Sequence, residues 1–179
     1  MSDQPKEDRA PRPSVPIVSS SHLVSERASE LSELEFGLFI CNNAFQRWIV
    51  RCIQATGVTD MNALDVMVIH TVNHRAREKR LADICFVLNI EDTHLVNYAV
   101  KKLLKAGLID RKKQGKEMYY STTEAGQQVC SNYRQIREDC LITAFGSTGI
   151  EGSDVGASAD LLRALSGMYD QAARSATSL

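Results

Sequence analysis

The sequence lacks the features that mark membrane and secreted proteins. It contains no run of about 18 apolar residues, so we expect no membrane-spanning helix and no membrane partner. Its N-terminus is polar and has no apolar segment of the kind found in secretory signals, so we expect no signal peptide. The net charge is only −1 at pH 7, so the chain as a whole does not indicate a polyanionic partner.

The signatures of common catalytic sites are also missing. The sequence has no Gly-x-Ser-x-Gly, no glycine-rich loop followed by Lys and Ser or Thr, and no acid and base at motif spacing. We therefore predict that the chain is not an enzyme and uses no cofactor.

No Cys-x-x-Cys pair occurs, and the number of cysteines is odd. The five are Cys41, Cys52, Cys85, Cys130 and Cys140. Each falls on or near an apolar helical stripe. This pattern predicts reduced, buried thiols in a cytoplasmic protein rather than a disulfide framework.

The cysteines could sense oxidants and two histidines could sense a metal, but ordinary packing is the simpler interpretation of both. Burial would raise the thiol pKa of Cys41 and Cys52 and blunt their reactivity, which favours packing over redox sensing. His70 and His74 are four residues apart and could share a metal ion, with Glu78 as the nearest further ligand. Because no acidic or cysteine cluster completes that site, we expect no metal.

The first 20 residues form a separate segment. Residues 1–20 contain all four prolines and several serines, which predicts a disordered arm. Lys6, Arg9 and Arg12 could touch DNA phosphate, but a solvated tail is the simpler interpretation.

A long helix is predicted next, within residues 21–57. Its apolar residues follow steps of three and four, which is a heptad seam: Leu31, Leu34, Leu38, Cys41, Phe45, Trp48 and Cys52. The rest of the chain is too small to cover the whole seam. We therefore expect a homodimer, with a partner subunit packed on this helix.

Residues 58–122 have the element order of a winged helix-turn-helix. We predict a helix through Leu64–Val72 capped by Thr59 or Asp60, and a short helix at 80–88. A further helix is predicted over 92–105, with acidic and capping residues at its start, in the stretch 91–93. Strands at 108–113 and 117–122 follow, joined by a turn at 114–116. Residues 123–179 are predicted to be dimerisation helices, with Thr123 as a cap and a flexible glycine-rich connector at 146–157.

The helix over 92–105 has a polar outward face that suits the DNA major groove. Its candidate DNA-binding residues are Thr93, His94, Asn97, Tyr98, Lys101, Lys102 and Lys105, and those of the hairpin are Arg111, Lys112, Lys113 and Lys116. Residues 75–116 hold 11 Lys or Arg and 5 Asp or Glu, a net charge of +6, while the remaining chain holds 10 and 17, a net charge of −7. This bipolar distribution indicates double-stranded DNA as the partner.

The stretch from Arg80 to Gly126 resembles the DNA-binding core of the MarR family of transcription regulators. Three pieces carry the resemblance: LADICFVLNIED, VKKLLKAGLIDR and YYSTTEAG. It implies a mainly α fold with a small β-hairpin wing, in which flanking helices form a dimerisation domain. It also implies a sequence-specific regulator that binds pseudo-palindromic operator DNA as a homodimer.

The resemblance further implies a small aromatic effector, held near Phe45, Trp48 and Phe39. That these aromatics are only dimer core is the simpler interpretation. Where the family often has Asp-x-Arg, the wing turn reads Gln114-Gly115-Lys116, so shallow phosphate contact by Lys113 and Lys116 is expected. A winged helix that binds a protein and no DNA is the alternative function, with Tyr98 as its contact residue.

Overall fold

The structure is a computed structural model that describes residues 15–179. Its α-helices are α1 (Ser29–Ala55), α2 (Ala63–Asn73), α3 (Leu81–Leu88), α4 (Thr93–Lys105), α5 (Glu124–Arg137), α6 (Thr143–Gly146) and α7 (Gly152–Ala176). Its strands are β1 (Lys79–Arg80), β2 (Ile109–Gln114) and β3 (Glu117–Thr122), in the antiparallel order β1-β3-β2. The predicted class, mainly α with a small β wing, is confirmed.

The core lies around α2, whose buried residues face α4 on one side and α1 and α5 on the other. Val68, Ile69 and Val72 of α2 are at most 1% exposed. They join Ile53 of α1 and Val100 of α4 in one continuous apolar cluster. Burial of this kind is the main force that fixes the helices against one another.

The helix boundaries depart from the prediction where side chains bond the backbone. The long helix begins at Ser29, not near residue 21, because Ser32 Oγ accepts from Ser25 N at 3.1 Å and turns the chain back across the helix start. Helix α2 is capped by Asn62 rather than Thr59 or Asp60. Asn62 Oδ1 accepts from Asp65 N and Asp65 Oδ2 accepts from Asn62 N, both at 2.9 Å, which is a capping box.

The predicted connector at 146–157 is much shorter in the structure. Helix α7 begins at Gly152, so only residues 147–151 link it to α6. Asp154 lies in the first turn of α7. Its negative charge interacts favourably with the positive end of the helix dipole, which offsets the low helix propensity of glycine. A π-helical turn, Glu138–Ile142, joins α5 to α6.

The seam of α1 is exposed in the middle of the helix, whereas Leu31 and Leu34 near its start are half-buried. Cys52 is buried and Trp48 is half-buried against the core, whereas Leu38, Cys41 and Phe45 are exposed. All five cysteines are free, and the prediction that all are buried is wrong for Cys41 and Cys140. The middle of α1 therefore presents an apolar surface that the described residues of its own chain do not cover.

The predicted N-terminal arm is described only in part. Residues 1–14, with Lys6, Arg9 and Arg12 of the predicted arm, lie outside the described residues, while Val18 and Ser19 lie beside Phe36 of α1. Within residues 15–179, no helix is both long and apolar enough to cross a membrane.

Candidate nucleic-acid interface

A tight turn between α3 and α4 sets the direction of α4. Asn89 ends α3 in the left-handed conformation at φ 52°, which Asn tolerates better than most residues. Ile90 N donates to Cys85 O at 3.0 Å and closes the helix end. Asp92 then caps α4, since its Oδ1 accepts from His94 N at 2.9 Å. The predicted acidic cap is confirmed at Asp92.

The buried face of α4 fixes which of its residues point outward. Val96, Ala99, Val100 and Leu103 are at most 1% exposed. The predicted contact residues at the other side are exposed, namely Thr93, His94, Tyr98, Lys101 and Lys105, and Asn97 is half-buried. One face of α4 is thus held in the core while the opposite face is open to a ligand as large as DNA.

Lys102 departs from the predicted outward face. Its Nζ donates to Asp65 Oδ2 at 2.9 Å, and only 23% of its side chain is exposed. This hydrogen bond to the Asp65 carboxylate raises the pKa of Lys102, so the ammonium stays charged. Asp65 itself is fully buried. Lys102 therefore joins α4 to α2 and does not belong to the outward, DNA-facing set predicted from the sequence. A buried carboxylate is costly unless a cation is paired with it, and Lys102 is that cation for Asp65.

The wing is a regular hairpin with a two-residue turn. Gln114 pairs with Glu117, and Gly115 takes φ +63°, which suits glycine in such a turn. The four predicted wing cations, Arg111, Lys112, Lys113 and Lys116, are all exposed. Arg80 ties the wing to α3, since its guanidinium bonds Asp83 of α3 at 2.8 Å and Glu117 of β3 at 3.4 Å.

Helix α4 and the wing share a basic hollow at their junction. Its volume is about 480 Å³, and Lys101, Lys105 and Arg111 line it with Asp110. Within residues 15–179, no ion pair engages these three cations or Lys112, Lys113 and Lys116. Six exposed, unpaired cations beside an outward helix are what a phosphate backbone requires.

Two residues of this interface, Leu95 and Asp65, were not among those predicted from the sequence. Leu95 is 53% exposed on α4, one turn before Tyr98, and the i, i+3 spacing of the two could have revealed a shared face. Asp65 was also missed, because its partner Lys102 lies 37 residues away and no local pattern marks such a pair.

Phe45 and Trp48, two of the three predicted effector residues, line one open cavity of about 580 Å³ between α1, α2 and α5. The other lining residues are Ile49, Met67, His70, Asn73, Gln127, Cys130, Ser131, Tyr133, Arg134 and Arg137. Phe39, the third predicted residue, lies elsewhere, in a cavity with Val18 and Phe36. The structure therefore brings Phe45 and Trp48 together with two arginines that the sequence did not connect to them.

His70 is a buried polar group of this cavity. Its ring meets the Tyr133 ring edge-on, with centroids 4.6 Å apart. Burial lowers the pKa of His70, so the ring is neutral at pH 7. Its Nε2 is buried and has no hydrogen-bond partner among the described residues.

The sensor candidates differ in their exposure, although His70 and His74 both line one small cavity. His74 is exposed at the end of α2, and residues 15–179 contain no group of three or more His, Cys, Asp or Glu side chains that could hold a metal. Burial raises the pKa of the Cys52 thiol, as predicted, and that of Cys130 to about 11. Cys41, in contrast, is exposed.

Comparison with known sequences assigns the central part of the chain. Residues 61–126 match the family model described as a winged helix DNA-binding domain. This range begins just before α2 and ends in the first turn of α5, so it contains α4 and the whole wing. No curated protein matches the chain.

Solved structures similar to this one include MarR family regulators. A transcriptional regulator (MarR family) from Rhodococcus sp. RHA1 has 16% identity and a TM-score of 0.64, covering 79% of this chain and 96% of its own. A mutant MarR from E. coli complexed with operator DNA has 16% identity and a TM-score of 0.63, covering 79% and 99%. CouR from Rhodococcus jostii RHA1, bound to p-coumaroyl-CoA, has 14% identity and a TM-score of 0.59, covering 74% and 90%.

Residues 61–126 therefore have the sequence pattern of a winged helix DNA-binding domain. The fold of the whole chain is that of the MarR family regulators. The resemblance predicted from residues 80–126 is therefore confirmed at the level of the fold.

The Lys102–Asp65 pair makes a direct prediction about stability. Lys102→Met should lower the free energy of unfolding by about 2 kcal/mol, because it leaves the buried Asp65 carboxylate without its cation. The exposed neighbour supplies the control, since Lys101→Met should change this free energy by less than about 0.5 kcal/mol. Urea unfolding followed by circular dichroism measures both, and equal effects of the two variants would show that Lys102 is an ordinary surface lysine.

Proposed function

We propose that this protein is a homodimeric, sequence-specific DNA-binding transcription regulator. The observation that carries the proposal is the open face of α4, which runs through Tyr98, Lys101 and Lys105 into the basic hollow with Arg111. The B-DNA major groove admits an α-helix, and exposed lysines beside it meet the phosphates. The similar MarR mutant, which was solved with operator DNA, supports this function.

The wing is proposed to contact the phosphates next to the groove. Lys113 and Lys116 stand at its tip, and Lys112 precedes them on β2. All three are exposed and the turn between the strands is short, so the wing offers charge rather than a long inserted arm. We expect these lysines to add affinity without base preference.

The dimer is proposed to form through the apolar surfaces of α1 and α7. Phe39 and Phe45 of α1 are 65% and 50% exposed, and Met168 of α7 is 60% exposed. Tyr169 Oη donates to Glu35 Oε1 at 3.2 Å, which holds α7 beside the N-terminal half of α1. Apolar surface of this extent on two neighbouring helices needs cover, and a second copy covers it symmetrically.

DNA binding is tested by selecting duplexes from a random pool with the full chain. The bound sequences should contain two inverted half-sites about one helical turn apart. The double variant Lys101→Ala, Lys105→Ala should weaken binding to a selected duplex and lower the steepness of log affinity against log salt by about 4, because the dimer loses four lysines and each releases about one counterion. Fluorescence anisotropy at several salt concentrations measures the slope.

Arg51→Ala is the matched control, since it removes an exposed cation from α1, far along the chain from α4. It should leave the salt slope unchanged, and sedimentation of the unmodified chain should give a dimer. Failure to enrich any duplex at moderate salt would reject the function. It would favour the alternative of a protein-binding winged helix, for which the exposed Tyr98 is the contact residue.

A small aromatic acid is proposed as the effector. The cavity holds Phe45 and Trp48 for an aromatic ring, and Arg134 and Arg137 for a carboxylate. The similar CouR, which was solved with p-coumaroyl-CoA, supports an aromatic ligand. Such a ligand would shift operator affinity by binding one arrangement of the dimer better than another.

Trp48 is the only tryptophan, so intrinsic fluorescence reports directly on this cavity. We expect 4-hydroxycinnamate to change Trp48 emission saturably and to bind about tenfold more tightly than its uncharged amide, because a charge-assisted hydrogen bond exceeds a neutral one. Arg134→Gln should remove that difference, while Phe86→Ala on α3 should preserve it. Equal affinity for acid and amide, or no saturable signal, would contradict the proposal.

We also propose that the protein acts in the cytoplasm. Three buried, free cysteines, Cys52, Cys85 and Cys130, support a reducing compartment. No enzyme activity is proposed, since the family model that matches describes a DNA-binding domain.

A further inference from the structure

Two large apolar side chains stand on the open face of α4, where the core does not use them. Leu95 is 53% exposed and Tyr98 is 68% exposed, whereas Val96 and Val100 of the same helix are at most 1% exposed. Residues three apart on a helix are neighbours, so Leu95 and Tyr98 form one patch. Exposed apolar surface of this kind, rimmed by polar residues, marks an interaction site.

The surroundings of this patch indicate what it meets. Thr93 and His94 lie at its N-terminal side, and Lys101 follows one turn after Tyr98. Beyond Lys101 is the basic hollow with Lys105 and Arg111. An apolar patch framed by unpaired cations fits a polyanion with apolar groups on its surface better than it fits an ordinary protein face.

Double-stranded DNA supplies such a group. In the major groove, thymine exposes its C5-methyl group, and the other bases expose hydrogen-bond donors and acceptors. The N-terminal residues of a recognition helix are those that reach the base edges. Leu95 and Tyr98 are the third and sixth residues of α4, within this reach.

We propose that Leu95 and Tyr98 determine specificity by packing against thymine methyl groups in the major groove. This inference rests on the proposed function. It adds that each half-site contains thymines opposite the N-terminal half of α4, and that these are recognised by apolar contact with their methyl groups.

The test removes the methyl group alone. Duplexes selected by the full chain are remade with deoxyuridine in place of each half-site thymine, and affinity is measured by fluorescence anisotropy at one salt concentration. We expect about a fourfold loss at the contacted thymines, which corresponds to one buried carbon group. In Leu95→Ala, one of these thymine positions should no longer distinguish thymine from deoxyuridine.

Tyr98 provides a conservative pair of variants. Tyr98→Phe keeps the ring and should keep the preference for thymine, whereas Tyr98→Ala should lose it at the position that the ring contacts. The control is Phe86→Ala, which removes an apolar side chain that is 87% exposed on α3 and should leave every thymine-to-deoxyuridine ratio unchanged.

The possible failures are distinguishable. A chain that selects duplexes, but binds thymine and deoxyuridine forms equally well, overturns this inference and leaves the proposed function standing. The same holds if Leu95→Ala and Tyr98→Ala keep every ratio of the unmodified chain. A chain that selects no duplex overturns both, and the patch would then be a protein contact.

Discussion

A single buried carboxylate fixes the geometry on which the DNA-binding surface depends. Asp65 is fully buried and bonds in two directions, to the backbone N–H of Asn62 at the start of α2 and to Lys102 of α4 at 2.9 Å. A buried charge is tolerated only when its partners are in place, so Asp65 and Lys102 must keep this relative orientation. The pair joins α4 to α2 within the apolar core that packs the two helices together. Helix α4 also carries the open face, and its last turn forms the basic hollow with Arg111.

Helix α2 is also where the two proposed binding activities meet. One side of α2 holds α4 through Asp65, and Met67 and His70 of the same helix line the cavity with Trp48. An effector in the cavity would therefore contact α2, the helix that supports the recognition helix α4. Because α1 also lines the cavity and carries the proposed dimer surface, a small displacement there would change the distance between the two copies of α4. Such a coupling needs only a difference in effector affinity between two arrangements.

Much of this fold follows from local sequence patterns, and what does not follow depends on contacts between distant residues. The periodicity of α4, its cap at Asp92 and the strand on each side of Gly115 are set by near neighbours, and the sequence predicts them closely. Lys102 could not be separated from Lys101 by pattern, because its partner Asp65 is distant in sequence. Gly152 was predicted to lie in a connector because glycine disfavours helices, whereas the structure has it at the start of α7. The cavity was predicted only as Phe45 and Trp48, because its arginines come from α5.

Hydroxyl-radical footprinting of the full chain on a selected duplex tests the central claim most directly, namely that two copies of α4, each held by Asp65, enter successive turns of the major groove. The account predicts two protected stretches on one face of the DNA, separated by about one helical turn, or 10 base pairs. A single protected stretch, or protection without fixed spacing, would contradict it, since neither is compatible with a symmetric pair of recognition helices.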